Sequence, residues 1–284
     1  MGLSNLTPTD IGGGGSGSSG PSVPLSALFG PTLTGGSDIN DMLINYNETY
    51  KSATPALFRD EIVTQTMSII SSSRKPNALL VGPAGVGKTA IVEEIARRIA
   101  NKEASVPPQL ANTTIYELPI ATLVAGAGVV GDLENRITEI IKFAQDANND
   151  ALLFIDEIHL IADSNNTTYA KIAQILKPAM ARGYIRVIAA TTMGEAKKLD
   201  DDPAFKRRFS SVIVDELTRE QTREILDIVL PGMLGHYQNK VTVAPDVLDE
   251  IVMTADRLMS TGHRPDTAIT LLDRALSHSV ISHH

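Results

Sequence analysis

Residues Asn77–Ala100 read NALLVGPAGVGKTAIVEEIARRIA, and the fold turns on how this stretch is divided. NALLV (Asn77–Val81) is a short, continuous apolar run, the pattern of a strand covered on both faces. TAIVEEIARRIA places Ile91, Ile95 and Ile99 at four-residue intervals, on one face of a helix. Between the two lie Gly82, Pro83, Ala84, Gly85, Val86 and Gly87, followed by Lys88, Thr89 and Ala90. Gly82, Gly87, Lys88 and Thr89 satisfy G-x-x-x-x-G-K-[ST] in the strand–turn–helix context that the motif requires. The glycines let backbone N–H groups wrap an anion, helped by the helix N-terminus.

That chemistry is phosphate binding. Lys88 is placed to reach β and γ phosphates, and Thr89 offers its hydroxyl to magnesium. A second apolar run, ALLFI (Ala151–Ile155), ends in Asp156-Glu157. In P-loop NTPases an acid at such a strand end holds the magnesium shell, which assigns Asp156 to Mg2+ beside Thr89. The adjacent Glu157 is positioned to polarise the attacking water as general base. ATP and Mg2+ are the cofactors this reading implies.

Alternation continues outward from the two motifs. TIYELPI (Thr114–Ile120) and IRVIAA (Ile185–Ala190) read as further strands. Leu133, Ile137, Ile140, Ile141 and Ala144 form one helical face, and Ile172, Ile175 and Leu176 another. Strand, helix, strand, helix predicts an α/β fold with a parallel sheet covered by helices on both faces. Beyond about Asp215 the pattern is helical only. Thr218 and Gln221 form a capping box, and Pro245-Asp246 and Pro265-Asp266 open two more helices. Three segments result. Residues 1–37 are Gly/Ser/Pro-rich and read as disordered, 38–215 as a large α/β domain, and 216–284 as a small all-helical domain.

Composition removes other classes. The chain lacks cysteine, so it has neither disulfides nor thiolate metal sites. Its formal net charge is -8 with no long basic block, which lowers the prior for nonspecific nucleic-acid binding. No signal peptide or membrane-length apolar run is present, so the expectation is a soluble, cytoplasmic protein with no membrane contact. His278, His283 and His284 have no metal-ligand context. Gly126-Ala127-Gly128-Val129-Val130-Gly131 is a literal G-x-G-x-x-G, but ATLVA separates it from its strand, whereas a dinucleotide fingerprint follows its strand at once. Asp132, read as the N-cap of the next helix, puts a carboxylate where a pyrophosphate would bind. These glycines are expected to form a loop.

Taken together, TPALFRDE, GPAGVGKTAIVEEIARRI, LVAGA, LLFIDEIH, LKPAMARG, AATT, KRRF and HRPDTAITLLDRA resemble the AAA+ ATPases, and most of all the first nucleotide-binding domain of the ClpA/ClpB unfoldases. The resemblance runs from about Thr54 to Leu276. It implies roles that spacing does not show. Leu57 and Phe58 fall in the adenine-side segment, and Pro265 and Asp266 near the adenine in a helical lid. Thr192 matches sensor 1, which reads the γ-phosphate. Arg207 and Arg208 match arginine fingers acting on a neighbouring subunit, and so imply a homo-hexamer. Arg264 is a weak match to sensor 2.

One departure stands out. The family's pore loop after LVAGA carries an aromatic residue that grips polypeptide. Here the loop is Gly128, Val129, Val130 and Gly131, with Val129 at the aromatic position. Tyr169 in a second pore segment either substitutes or packs. Two functional classes remain open: a ring that remodels or unfolds polypeptide substrates, and a switch or loader in nucleic-acid transactions. The sequence does not identify a protease partner.

Overall fold

The computed structural model describes residues 39–125, 130–162, 166–258 and 262–282. The expectations for residues 1–37, Gly126, Ala127, Gly128, Val129, His283 and His284 lie outside these. Ile44–Asn45 (β1), Asn77–Val81 (β2), Thr114–Glu117 (β3), Ala151–Ile155 (β4), Arg186–Thr191 (β5) and Ser210–Ile213 (β6) form one sheet. Its order is β1-β3-β4-β5-β2-β6, parallel throughout except for β1, which pairs antiparallel with β3 at the edge.

Helices Ile39–Met42 (α1) and Tyr46–Thr49 (α2) flank β1, and Asp60–Ile70 (α3) precedes β2. Lys88–Ala100 (α4) follows β2. Ile120–Ala125 (α5) and Val130–Gln145 (α6) link β3 to β4, and His159–Ala162 (α7) and Thr167–Ala181 (α8) link β4 to β5. Pro203–Lys206 (α9) leads into β6.

The central strands are apolar on both sides, and their two-residue period sorts them into two cores. Leu79 and Val81 of β2, with Leu153 and Ile155 of β4, pack with Ile137 and Ile140 of α6 and Ile172 and Leu176 of α8. Ala78 and Leu80, with Leu152 and Phe154, pack on the other side with Val63 and Met67 of α3 and Ile91, Ile95 and Ile99 of α4. This is the predicted parallel sheet covered on both faces. A third core belongs to Arg219–His236 (α10), Pro245–Leu258 (α11) and Asp266–Ser282 (α12). Leu226 meets Leu248, Ile251, Val252 and Ala255, and α12 contributes Ala268, Leu272 and Leu276 at four-residue spacing. The Thr218–Gln221 capping box is formed at the start of α10.

Several features differ from the sequence reading or were not anticipated by it: the strand read over Thr114–Ile120 ends at Glu117, and Ile120 opens α5. β1 is two residues long, and β6 reads SSVI with one buried side chain, so neither carries an apolar pattern. Helix α6 starts at Val130, so Asp132 lies inside the first turn rather than at the cap, paired with Arg136 at 2.8 Å. An acid there still meets the positive end of the helix.

Asn77 joins three segments at the start of β2. Its side chain is 3% exposed, accepts from the Val187 N–H of β5 at 2.9 Å, and donates to the Arg208 carbonyl ahead of β6 at 3.2 Å. Asn77→Ala leaves both backbone groups without this partner and should cost about 1–3 kcal/mol. Urea denaturation should show the midpoint falling with an unchanged slope.

Candidate active site

The strand order brings the chemistry together. β2, β5 and β4 lie side by side and parallel, so the segments following Val81, Thr191 and Ile155 emerge at one end of the sheet. Those segments carry Lys88 and Thr89, then Thr192, then Asp156 and Glu157. They line a cleft of about 410 Å³, within the range of ligand sites.

The first loop is shaped by its glycines. A Cβ on Gly82 would sit 2.2 Å from the Val214 carbonyl oxygen, so no larger residue fits there. Gly85 and Gly87 have φ of 82° and 90°, the left-handed region open to glycine. The Lys88 ammonium donates to the carbonyls of Gly82 at 2.9 Å and Pro83 at 2.8 Å. Burial pulls its pKa below the usual lysine value, while Asp156, Glu195 and Glu157 oppose that shift.

Across the cleft, Thr89 Oγ1 in the first turn of α4 donates at 3.2 Å to Oδ2 of Asp156, the residue after β4. This is the donor set of a hydrated magnesium ion carried by a nucleotide: one carboxylate and one hydroxyl, with phosphates and water filling the rest. Among the described residues no cluster of three His, Asp or Glu forms a metal cage. Glu157 has φ 52°, and its N–H donates to Asp156 Oδ1 at 2.9 Å. A non-glycine residue in that region costs on the order of 1–3 kcal/mol, and of the six described residues that adopt it Glu157 is the one lining this cleft. Glu117, at the end of β3 and outside the cleft lining, is half-buried. Burial raises its pKa against the hydrogen bond from Tyr46, and Asp156 raises it further.

Thr192 is not alone at the end of β5. Its hydroxyl donates to Glu195 Oε2 at 2.7 Å, and its N–H to the same oxygen at 3.3 Å. His159 Nδ1 stands 3.3 Å from that oxygen and 3.3 Å from Thr191 Oγ1. Sequence reading passed over Glu195, although Thr192-Met193-Gly194-Glu195 has the spacing of a capping box.

A second cavity of about 230 Å³ adjoins the first, and Pro265 and Ile269 line both. Leu57, Val86, Ile228 and Val229 give it an apolar lining suited to a flat ring. Phe58 lines neither cavity, a correction to its expected place: its φ of 59° carries the side chain outward, where it is 36% exposed. The neighbouring Arg59 is 6% exposed and donates to the carbonyls of Val86 at 2.6 Å and Asp215 at 3.0 Å, tying this segment to the phosphate loop. Glu94 of α4 accepts from Arg97, Arg98 and the Ala56 N–H. Burial alone would raise its pKa, but these bonds outweigh burial and hold it below the usual carboxylate value.

The helical domain closes the cleft from above. A Cβ on Gly85 would meet the Asp266 Cβ at 2.8 Å. Arg264 is engaged elsewhere. It grips Asp256 at 2.7 and 2.8 Å, donates to the Leu217 carbonyl at 2.9 Å, and does not line the cleft.

Arg207 and Arg208 lie outside the cleft. They precede Ser210, which pairs with Ala78 at the start of β2. Four residues, about 13 Å of strand, separate that point from Gly82. Phe205 and Phe209 hold the segment, 1% and 4% exposed with ring centroids 5.4 Å apart. Of the expected pore loop, Val130 and Gly131 form the start of α6. Tyr169 packs against the sheet core rather than standing free.

Residues 78–217 match the sequence profile of the family described as ATPase family associated with various cellular activities (AAA), and residues 218–284 that of an AAA lid domain. The chain is 40% identical over 236 residues to the chaperone protein ClpB of Aquifex aeolicus, an alignment covering 82% of this chain and 23% of that protein. It is 38% identical over 224 residues to ClpE, the ATP-binding subunit of an ATP-dependent Clp protease from Bacillus subtilis, covering 78% and 31%. Among solved structures, the S. cerevisiae Hsp104:casein complex superposes with a TM-score of 0.76 at 31% identity, covering 86% of this chain and 42% of that one. The chain thus spans between 23% and 31% of the length of these two curated relatives.

Proposed function

The chain belongs to the AAA family of ATPases, and on that premise we propose that it binds ATP with Mg2+ in the 410 Å³ cleft and hydrolyses it as one subunit of a polypeptide-remodelling ring. The observation that carries this reading is the convergence of Lys88, the Thr89–Asp156 pair, Glu157 and Thr192 at the ends of three adjacent strands.

Each side chain has one task. Lys88, already desolvated in its loop, neutralises the β and γ phosphates. Thr89 and Asp156 hold the magnesium shell, and the metal supplies charge neutralisation at the phosphates. Glu157 accepts the proton of the attacking water. The apolar cavity beside Leu57 and Pro265 takes the adenine. In this proposal Lys88→Ala abolishes tight ATP binding, because the phosphates lose their cation. Glu157→Gln retains binding and loses hydrolysis. A nucleotide-binding titration and a phosphate-release assay on both variants check this. Equal loss of binding in the two would remove Glu157 as the base.

Arg207 and Arg208 stand at the far end of the sheet from their own phosphate loop, which supports action on a neighbour's nucleotide in a homo-hexamer. Arg208→Ala should cut turnover by roughly 10³–10⁵ while ATP affinity is retained. Mixing it with Lys88→Ala should restore part of the activity, since intact halves meet at mixed interfaces. Turnover independent of protein concentration, with no oligomer by light scattering, would count against a ring.

Polypeptide is the proposed substrate class, supported by the Clp-type relatives and by a net charge of -8. A cytoplasmic setting belongs to the same proposal. We place Val129 in the contact with polypeptide, where burying a side chain of its size is worth roughly 1.5–3 kcal/mol. That favours loosely folded targets over stable ones. An unfolded polypeptide should raise phosphate release, and Val129→Asp should remove the stimulation. Stimulation by single-stranded DNA instead would move the protein to the switch or loader class.

A further inference from the structure

The Thr192 hydroxyl has one proton to donate and two lone pairs to accept with. The proton goes to Glu195 Oε2, at 2.7 Å. One lone pair takes the Glu195 N–H, at 3.3 Å. The carboxylate is itself held in place: it receives the Thr192 N–H, and His159 Nδ1 lies 3.3 Å away on a ring that is only 5% exposed. Hydrogen bonding to Thr192 is the largest of the influences that hold the Glu195 carboxyl below its ordinary value, and it outweighs burial.

One lone pair of Thr192 therefore remains for the cleft, and no proton. Phosphate oxygens need donors; water can supply its own protons. We propose that Glu195 is a positioning residue that commits the Thr192 proton and turns this side chain into an acceptor for the attacking water. Glu157, exposed on the same cleft, is the second acceptor. Two acceptors directed at one water occupy both its protons and leave its lone pair free toward phosphorus. This rests on the cleft being the ATPase site. It adds to that reading a side chain that acts only through Thr192.

The same contacts also tie the short helix Glu195–Asp201 to the end of β5, a purely structural role, and the experiment separates the two roles. Steady-state turnover and ATP affinity are measured with Mg2+ on the full chain carrying Glu195→Ala, Glu195→Gln, Thr192→Val and the Glu195→Ala/Thr192→Val pair. Glu195→Ala and Thr192→Val should each lower kcat by roughly 10–100-fold, as losses of outer-shell partners do in metal sites. The pair should be no slower than Thr192→Val alone. Glu195→Gln, which keeps an accepting oxygen at the same reach, should recover most of the turnover. ATP affinity should hold or rise in Glu195→Ala, because the freed hydroxyl proton can then serve a phosphate. Additive losses in the pair would overturn the inference, as would a Glu195→Ala protein that melts earlier but turns over normally. Normal turnover in Thr192→Val would also overturn it. The ATPase reading is judged separately, by whether Lys88→Ala loses ATP binding.

Discussion

Burial of β2, β4 and β5 on both faces governs where this molecule can keep polar groups. Every residue of NALLV and ALLFI is buried, and the two-residue period divides their side chains between two helical layers. Such strands have no face on which to hold a solvated charge, so the chemistry is displaced to their carboxyl ends. Parallel pairing then places those ends together. Lys88, Asp156, Glu157 and Thr192 become neighbours although more than a hundred residues separate the first from the last.

The resulting cleft gathers like charges. Asp156, Glu195 and Glu157 all act on the Lys88 ammonium against the effect of its burial, and Asp156 helps raise the pKa of the half-buried Glu117 nearby. The structure tolerates this because each acid with a resolved contact has a fixed donor. Thr89 and the Glu157 N–H serve Asp156, Thr192 serves Glu195, and Tyr46 serves Glu117. Such hydrogen bonds are prepaid orientation: the groups do not have to reorganise when charge develops in the site.

Coupling between the two domains is equally specific. Arg264 links the Glu216-Leu217 connection to Asp256 on α11, and Arg219 reaches the same carboxylate at 2.6 Å. Burial pushes the Asp256 carboxyl up, but the two guanidinium groups outweigh it and hold it below its ordinary value. On the nucleotide side, Asp266 abuts Gly85 and Pro265 lines both cavities. The helical domain is thus tied to the connection at one point and meets the phosphate loop at another.

The phosphate loop, the acidic strand end and the four inner apolar strands were legible in the sequence because each depends on neighbours along the chain. Glycine at a left-handed φ, an apolar run and a capping box are local requirements, and local requirements leave local patterns. The roles proposed for Thr192, Arg207 and Arg208 rest on the family resemblance, since a strand-end threonine or a surface arginine pair carries no local pattern of its own. β1 and β6 escaped notice because their place is set by pairing with β3 and β2 rather than by their own composition. Only the tertiary structure settled the remaining points: that Phe58 turns outward, that Arg264 pairs with Asp256, that Asn77 holds the Arg208 segment, and that Glu195 takes the proton of Thr192. Each of these depends on which single partner a side chain reaches. A hydrogen bond is decided over a few tenths of an ångström, a scale that the order of residues does not specify.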